Sequence, residues 1–327
     1  MSTVLVTGGA GYIGSHACKR LSVEGFEPVV FDNLEHGYRE FVKWGDLVVG
    51  DLQDKQLLED TIDKYKPVAV LHFAAYAYVG ESVTDPLKYY RNNFYGMMSL
   101  LETMKSAGVK YLVFSSTCAS YGNPQESSIS ETHNQNPINP YGKSKYFVEN
   151  MISDLAAVTD LTSVFLRYFN AAGCDFDLDC GEDHEPETHL IPLLLEVAGG
   201  EREVITVFGK DYPTSDGTCI RDYIHVDDLA IAHVQALEFM LNGNGSEVFN
   251  LGNGKGFSVL EVINSVERVT GEEIPIVFGS RREGDPPSLV ADSTKATSVL
   301  NWKPKYKELD KIIESAWRWY NYRRGRA

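Results

Sequence analysis

The chain has 327 residues, 43% hydrophobic and 23% charged, enough apolar material for a substantial core, and this length favours two closely joined domains over one. Its formal net charge of −16 argues against a nucleic acid or an anionic membrane as partner, but a few local arginines acting within a Debye length of roughly 8–10 Å leave a small phosphorylated substrate open. No apolar run is long enough to span a bilayer, a strand expected from residue 3 leaves no room for a signal peptide, and five cysteines without paired spacing predict reduced thiols in a cytoplasm.

In chain order, short β-branched or aromatic runs predict strands at 3–7, 28–32, 47–49, 68–73, 111–115 and 163–169. Longer helical patterns alternate with them at 15–24, 57–65, 87–107 and 144–156. Strand–helix–strand repetition predicts an α/β fold built on a doubly wound parallel sheet, because parallel strands need crossover connections. The second half is less regular, with Gly and acidic clusters at 174–187 and 209–217 before helical patterns return at 226–241, 259–269 and 309–322. The expected division is a dinucleotide-binding domain of residues 1–170, rejoined by 221–251, and an interleaved, smaller C-terminal substrate domain of residues 171–220 and 252–327.

The segment Thr7-Gly8-Gly9-Ala10-Gly11-Tyr12-Ile13-Gly14 follows a predicted strand and opens a predicted helix, the context in which a glycine pattern carries meaning. Gly8 and Gly11 permit a tight turn and close backbone approach to a pyrophosphate, and Gly14 permits close helix–strand packing. The helix N-terminus then presents free N–H groups to the phosphates. Asp32, ending the second strand, is placed to accept both ribose hydroxyls of NAD and to repel the 2′-phosphate of NADP. The cofactor expected is NAD.

Tyr141 and Lys145 stand four apart at a helix start, on one face and about one turn from each other. A phenol titrates near ~10 and is a poor base at neutrality unless a cation stabilises its phenolate. One positive charge at ~4 Å and an effective dielectric of ~20 contributes roughly 4 kcal/mol, about three pKa units, which predicts a phenol near 7. A Tyr-x3-Lys pair alone is an even bet against an ordinary helix start. Its placement one loop after the strand end Ser115-Ser116-Thr117, where an open α/β sheet lines its ligand crevice, makes the three together a much stronger signal.

With those motifs the sequence resembles the extended short-chain dehydrogenases/reductases, and within them the UDP-glucose 4-epimerases. The resemblance runs nearly end to end: Gly8 to Gly14, Asp32-Asn33, Gly50-Asp51, His72-Phe73-Ala74-Ala75, Val79-Gly80-Glu81-Ser82, Asn92-Asn93, Ser115-Ser116-Thr117, Tyr141 to Lys145, Arg167-Tyr168-Phe169-Asn170, Phe208-Gly209 with Asp211-Tyr212-Pro213, Arg221-Asp222-Tyr223-Ile224-His225 and Arg281-Arg282-Glu283-Gly284-Asp285. The last three are the most specific, since most dehydrogenases lack them.

The resemblance implies an isomerase that inverts C4 of a UDP-sugar, UDP-glucose/UDP-galactose first, through a 4-keto intermediate with NAD kept bound. It implies that Tyr141 is the acid and base at the 4-hydroxyl, that Lys145 tunes it and holds the nicotinamide ribose, and that Thr117 hydrogen-bonds the same oxygen. As cofactor contacts it implies Gly8, Gly11, Tyr12, Ile13, Asp32, Asn33, Asp51, Leu52, Phe73, Ala74, Ala75, Asn92 and Phe169, besides Thr117, Tyr141 and Lys145. The UDP-sugar would meet Thr117, Tyr141, Asn170, His189, Leu190, Thr206, Phe208, Arg221, Arg282 and Asp285. Phe208 suits uracil stacking, Arg221 and Arg282 a diphosphate, and Asp285 ribose hydroxyls. Ala77 stands where some members carry a phosphate-binding Lys, and Thr117 replaces the more familiar Ser. Leu289, at the position whose bulk governs N-acetylated sugars, argues against UDP-N-acetylglucosamine. Residues 72–79 also resemble epimerases of UDP-xylose and UDP-arabinose.

Other chemistries compete. Sugar-nucleotide dehydratases place an Asp-Glu pair after the threonine, where this chain has Cys118 and Ala119. Cys118, without a partnered His nearby in sequence, reads as a small packed residue. The stretch 180–189, with Cys180, Glu182, His184, Glu187 and His189, is crowded beyond any common zinc spacing and is expected to be an exposed acidic loop with no metal. A non-enzymatic dinucleotide-sensing regulator would keep the glycines and dispense with the Tyr-Lys pair. Finally, the apolar circumference of 87–107, with Phe147, Val148, Met151 and Ile152, suits pairing across a two-fold axis, and the family resemblance favours a homodimer.

Overall fold

The computed structural model describes residues 2–282 and 285–326; Glu283 and Gly284, within the segment 281–285 that entered the resemblance, lie outside the described residues. The first half runs β1 (Thr3–Thr7), α1 (Tyr12–Val23), β2 (Glu27–Asp32), β3 (Asp46–Val49), α2 (Lys55–Tyr65), β4 (Ala69–His72), α3 (Val79–Thr84), α4 (Pro86–Tyr89), α5 (Gly96–Ala107), β5 (Tyr111–Thr117), α6 (Pro140–Ala156) and β6 (Thr162–Tyr168). The second half continues with β7 (Asn170–Ala172), α7 (Leu190–Ala198), β8 (Ile205–Phe208), β9 (Ile220–His225), α8 (Val226–Leu241) and β10 (Glu247–Leu251). It closes with β11 (Gly256–Ser258), α9 (Val259–Thr270), β12 (Ile276–Gly279), β13 (Ser288–Leu289), α10 (Thr294–Val299) and α11 (Leu309–Arg323).

Seven strands form one parallel sheet in the order β10-β6-β5-β4-β1-β2-β3. Strand order reverses between β1 and β4, whose carboxyl ends therefore flank the crevice of a doubly wound sheet. The central strands are apolar on both faces: Val4, Leu5 and Val6 are fully buried, with Val4 and Val6 in one core cluster and Leu5 in the other. That double burial explains why these strands read as continuous apolar runs without alternation. A separate cluster, containing Ile191, Leu194, Val262 and Ile312, unites α7, α9 and α11. Short sheets β11-β9-β13, with β7 on β9, and β12-β8 lie outside the main sheet.

The helix predicted over 87–107 is interrupted. α4 begins at Pro86, Tyr90–Tyr95 forms a π-helical turn, and α5 starts only at Gly96. The wider turn accompanies a buried polar anchor. Asn93 accepts from the Tyr76 backbone N–H at 2.9 Å and donates to the Tyr76 carbonyl at 3.0 Å and the Ser144 hydroxyl at 3.1 Å. Hydrophobic periodicity does not report such a bulge, although π turns cluster at functional sites.

Candidate active site

The first wall is the turn between β1 and α1. Gly8 has φ +73°, and a Cβ there would lie 2.5 Å from the Ala74 nitrogen; one on Gly14 would lie 2.2 Å from the Gly8 carbonyl oxygen. Both positions therefore demand glycine. α1 has Gly11 as N-cap and no side chain capping it, which leaves its first N–H groups for another partner. At the end of β2, Asp32 accepts from the N–H of Ala10 at 3.0 Å and of Leu34 at 2.8 Å. Burial pushes its carboxyl above the usual carboxylate range. Asn33 donates to Asp51 at 3.2 Å beside it.

The second wall is β5 with α6. Pro140 occupies the first turn of α6, and Asn139 caps it by accepting from the Gly142 N–H at 2.8 Å. The helix thus starts ahead of Tyr141, so Tyr141 and Lys145 lie on its first turns, one turn apart and both buried. The Tyr141 phenol lies beside the side chain of Thr117, the last residue of β5. Lys145 Nζ donates to the Ser115 carbonyl at 2.8 Å and lies 4.9 Å from the centre of the Phe114 ring.

The electrostatics differ from the sequence expectation. Burial pushes the Tyr141 phenol up to about 12, opposed by the neighbouring Thr117 side chain. Burial also brings the Lys145 amine down to about 7, opposed by the Glu149 carboxylate. Desolvation favours the neutral form of both groups. The two residues alone therefore do not bring the phenol to neutrality, because burial weakens the Lys145 charge that the sequence expectation took as fixed. Cys118 is a thiol, pushed up to about 12 by burial.

The third wall comes from the second half of the chain. Arg221 pairs with Asp285 in a short ion pair, and the Arg282 guanidinium stands 4.2 Å over the Phe208 ring. Asn170 donates to the Asp222 carbonyl at 3.0 Å. Asp222 itself accepts backbone N–H groups of Asn253, Gly254 and Ala291, so it braces the scaffold.

One cleft of about 1630 Å³ runs between the three walls. Gly8, Gly11, Tyr12, Ile13, Asp32, Asn33, Asp51, Leu52, Phe73, Ala74, Ala75 and Asn92 line one part of it, and Thr117, Tyr141, Lys145 and Phe169 another. Asn170, His189, Leu190, Thr206, Phe208, Arg221, Arg282 and Asp285 line the rest. Every residue expected from the sequence to touch the cofactor or the UDP-sugar is thus on its surface. The glycine cradle, the uncapped helix end and the Asp32 carboxylate fit the pyrophosphate and ribose of a dinucleotide.

Sequence reasoning missed other lining residues. Tyr76, whose hydroxyl donates to Glu35, and Tyr78, beside His184 and His189, face the same space. Glu81, quoted only as part of a motif, accepts from Lys88 and Tyr89 at 2.8 Å each. The segment 180–189 needs correction: it is not an exposed acidic loop. The Glu182 and Glu187 side chains are 8% and 9% exposed and turn inward on His184 and His189. No periodicity announces that inward turn.

Residues 4–252 match the model of the NAD dependent epimerase/dehydratase family. A UDP-glucose 4-epimerase of Rhizobium leguminosarum bv. trifolii is 53% identical over 318 residues, 97% of each chain. The crystal structure of UDP-glucose 4-epimerase from Brucella ovis in complex with NAD superposes with a TM-score of 0.94 at 51% identity, over 96% of this chain and 97% of that one. The UDP-glucose-4-epimerase from Stenotrophomonas maltophila, with bound NAD and formylated UDP-arabinopyranose, superposes with a TM-score of 0.96 at 40% identity over the whole of both chains. This chain belongs to the NAD dependent epimerase/dehydratase family.

Proposed function

We infer that this protein inverts C4 of a UDP-linked sugar, interconverting UDP-glucose and UDP-galactose with NAD held in the cleft. The observation that carries the reading is the meeting of Tyr141, Lys145 and Thr117 in one cleft with the glycine cradle on one side and Arg221, Arg282 and Phe208 on the other. Bound NAD supplies a reversible hydride acceptor for C4. The chain supplies the rest. Tyr141 takes the 4-hydroxyl proton and returns it, and Thr117 orients that oxygen through its contact with the phenol. Phe208, with Arg221 and Arg282, holds the nucleotide while the oxidised sugar turns its other face. Lys145, anchored on Ser115, holds the cofactor ribose and shares its proton with the phenol.

The division of the chain into residues 1–170 with 221–251, and 171–220 with 252–327, is part of this proposal; Asn170 and Arg221 fall in the first unit, so the nucleotide grip draws on both. A cytoplasmic setting also belongs to it, supported by five free cysteines; among the described residues no helix is long and apolar enough to cross a membrane. So does a homodimer. Met97, Leu101, Met104, Val148 and Ile152 are buried within the chain, but Leu87, Tyr95 and Phe147 remain 70%, 49% and 44% exposed. Light scattering that returns a monomer removes the dimer from the account.

The pentose pair UDP-xylose/UDP-arabinose is the second reading, favoured by the likeness of residues 72–79 and by the solved relative that holds a UDP-arabinopyranose derivative. Incubation with UDP-galactose, UDP-xylose and UDP-N-acetylglucosamine, each without added NAD, separates the readings. UDP-glucose formed fastest supports the first, a faster pentose reaction replaces it with the second, and no product from any sugar leaves the dinucleotide-sensing regulator.

A further inference from the structure

Two groups of metal-type ligands stand outside the catalytic residues: Asp175, Asp177 and Asp179, and Glu182, His184, Glu187 and His189. Lys19 already fills the first, with its ammonium 2.8–3.0 Å from all three carboxylates. The second, among the described residues, pairs with no lysine or arginine; its two imidazoles face its two carboxylates. Four side chains each direct one donor atom into a space where all four lie within 4.8 Å of one another.

We propose that Glu182, His184, Glu187 and His189 bind one divalent cation of the zinc type, which braces the segment 180–189 against the glycine-turn helix. All four donor atoms lie close enough to one another to converge on a single ion. Zinc bonds of about 2.0–2.1 Å in tetrahedral geometry place ligands about 3.3–3.5 Å apart. The His184 Nδ1 lies 3.3 Å from Glu182 and 3.7 Å from Glu187, and the His189 Nδ1 lies 3.0 Å from Glu182 and 2.8 Å from Glu187. Both imidazoles thus face both carboxylates, and the His189 Nδ1 shares a hydrogen bond with Glu187 at 2.8 Å. The His184 Nδ1 is also buried with no hydrogen-bond partner of acceptable geometry, a costly state for an isolated nitrogen. Two neutral imidazoles and two carboxylates balance a dication, and this donor set suits zinc over magnesium.

The surroundings hold the ligands in place. Glu187 Oε1 also accepts the N–H of Thr188 at 2.6 Å and of His189 at 2.7 Å. The Glu182 carbonyl accepts from Trp319 Nε1 on α11 at 2.9 Å. The His184 ring lies edge-on to Tyr12 at 6.1 Å and to Tyr78 at 6.0 Å. Such support fixes ligand direction, as outer-shell contacts do in metal proteins. Four protein donors leave no open position, so the cation is structural. It links two parts of the cleft wall, the turn that starts α1 and the start of α7 with His189 and Leu190, to α11.

The test is zinc binding by the full-length, NAD-loaded protein after passage over a chelating resin. Added Zn²⁺ should be retained through desalting at about one per chain and should raise Tm by several degrees, as a ligand of the folded state alone does. Mg²⁺ should do neither. His184→Ala and Glu187→Gln should each weaken zinc retention at least about tenfold. Wild-type protein that retains no zinc and shows no rise in Tm overturns the proposal, without reliance on any variant. Zinc retained equally by both variants overturns it too, by placing the metal elsewhere.

Discussion

Lys145 donates to the carbonyl oxygen of Ser115 at 2.8 Å, and that bond ties the ammonium to the end of the strand that carries Thr117. Burial leaves the amine at about 7 and the Tyr141 phenol at about 12. The base form of Tyr141 is the phenolate, which rising pH favours, so turnover should climb from neutral to alkaline pH. Lys145→Met removes the amine one helical turn from the phenol, charged mainly below about 7, and should lower turnover at pH 7 at least about tenfold, with the loss shrinking as pH rises past 7. Pre-steady-state or kcat profiles over pH 6–10 check this. An unchanged profile would show that the lysine does not act on the phenol.

Asp32 ties the end of β2 to the glycine turn through Ala10, so its carboxylate is held where a ribose would meet it. Asp32→Ala should weaken NAD binding at least about tenfold, the worth of one or two charge-assisted hydrogen bonds. Calorimetric titration of cofactor-stripped protein measures it. Unchanged affinity would move the ribose elsewhere.

His72, at the end of β4, is 1% exposed and shares a 2.8 Å hydrogen bond with Thr7. Burial, aided by the Lys145 ammonium, brings its imidazole down from 6.5 to about 3. Between those values the unfolded chain holds a proton that the folded chain lacks, so this residue's contribution to stability is present above 6.5 and is lost as pH falls toward 3. His72→Asn keeps a hydrogen-bonding side chain and does not titrate. The stability of wild type relative to this variant should therefore fall by about 1–2 kcal/mol between pH 7 and pH 5, read from urea unfolding. A constant difference would contradict the buried, neutral assignment.

Much of this was legible in the residues themselves. The first six strands and the Gly8–Asp32 relationship follow from local chemistry, because a fully buried parallel strand and a phosphate-type turn leave strong marks over few residues. The Tyr141–Lys145 spacing likewise places both on one helical face. Their ionisation was not legible, since spacing carries no information on how far each is removed from water. The π turn at Tyr90–Tyr95 escaped for a similar reason: its cause is the Asn93 anchor on Tyr76 and Ser144, a tertiary contact. The acidic stretch around Glu182 and Glu187 reads as solvated until the fold supplies His184 and His189 beside it.

The central claim is that C4 is oxidised and reduced within one cleft, with Tyr141 handling the proton and the hydride never exchanging with solvent. UDP-galactose deuterated at C4, incubated with the protein as purified, tests it directly. The account predicts UDP-glucose with the deuterium still at C4, and turnover at least about a hundredfold lower for Tyr141→Phe. Product in which the label has washed out to solvent, or a Tyr141→Phe variant that turns over at the wild-type rate, would contradict it.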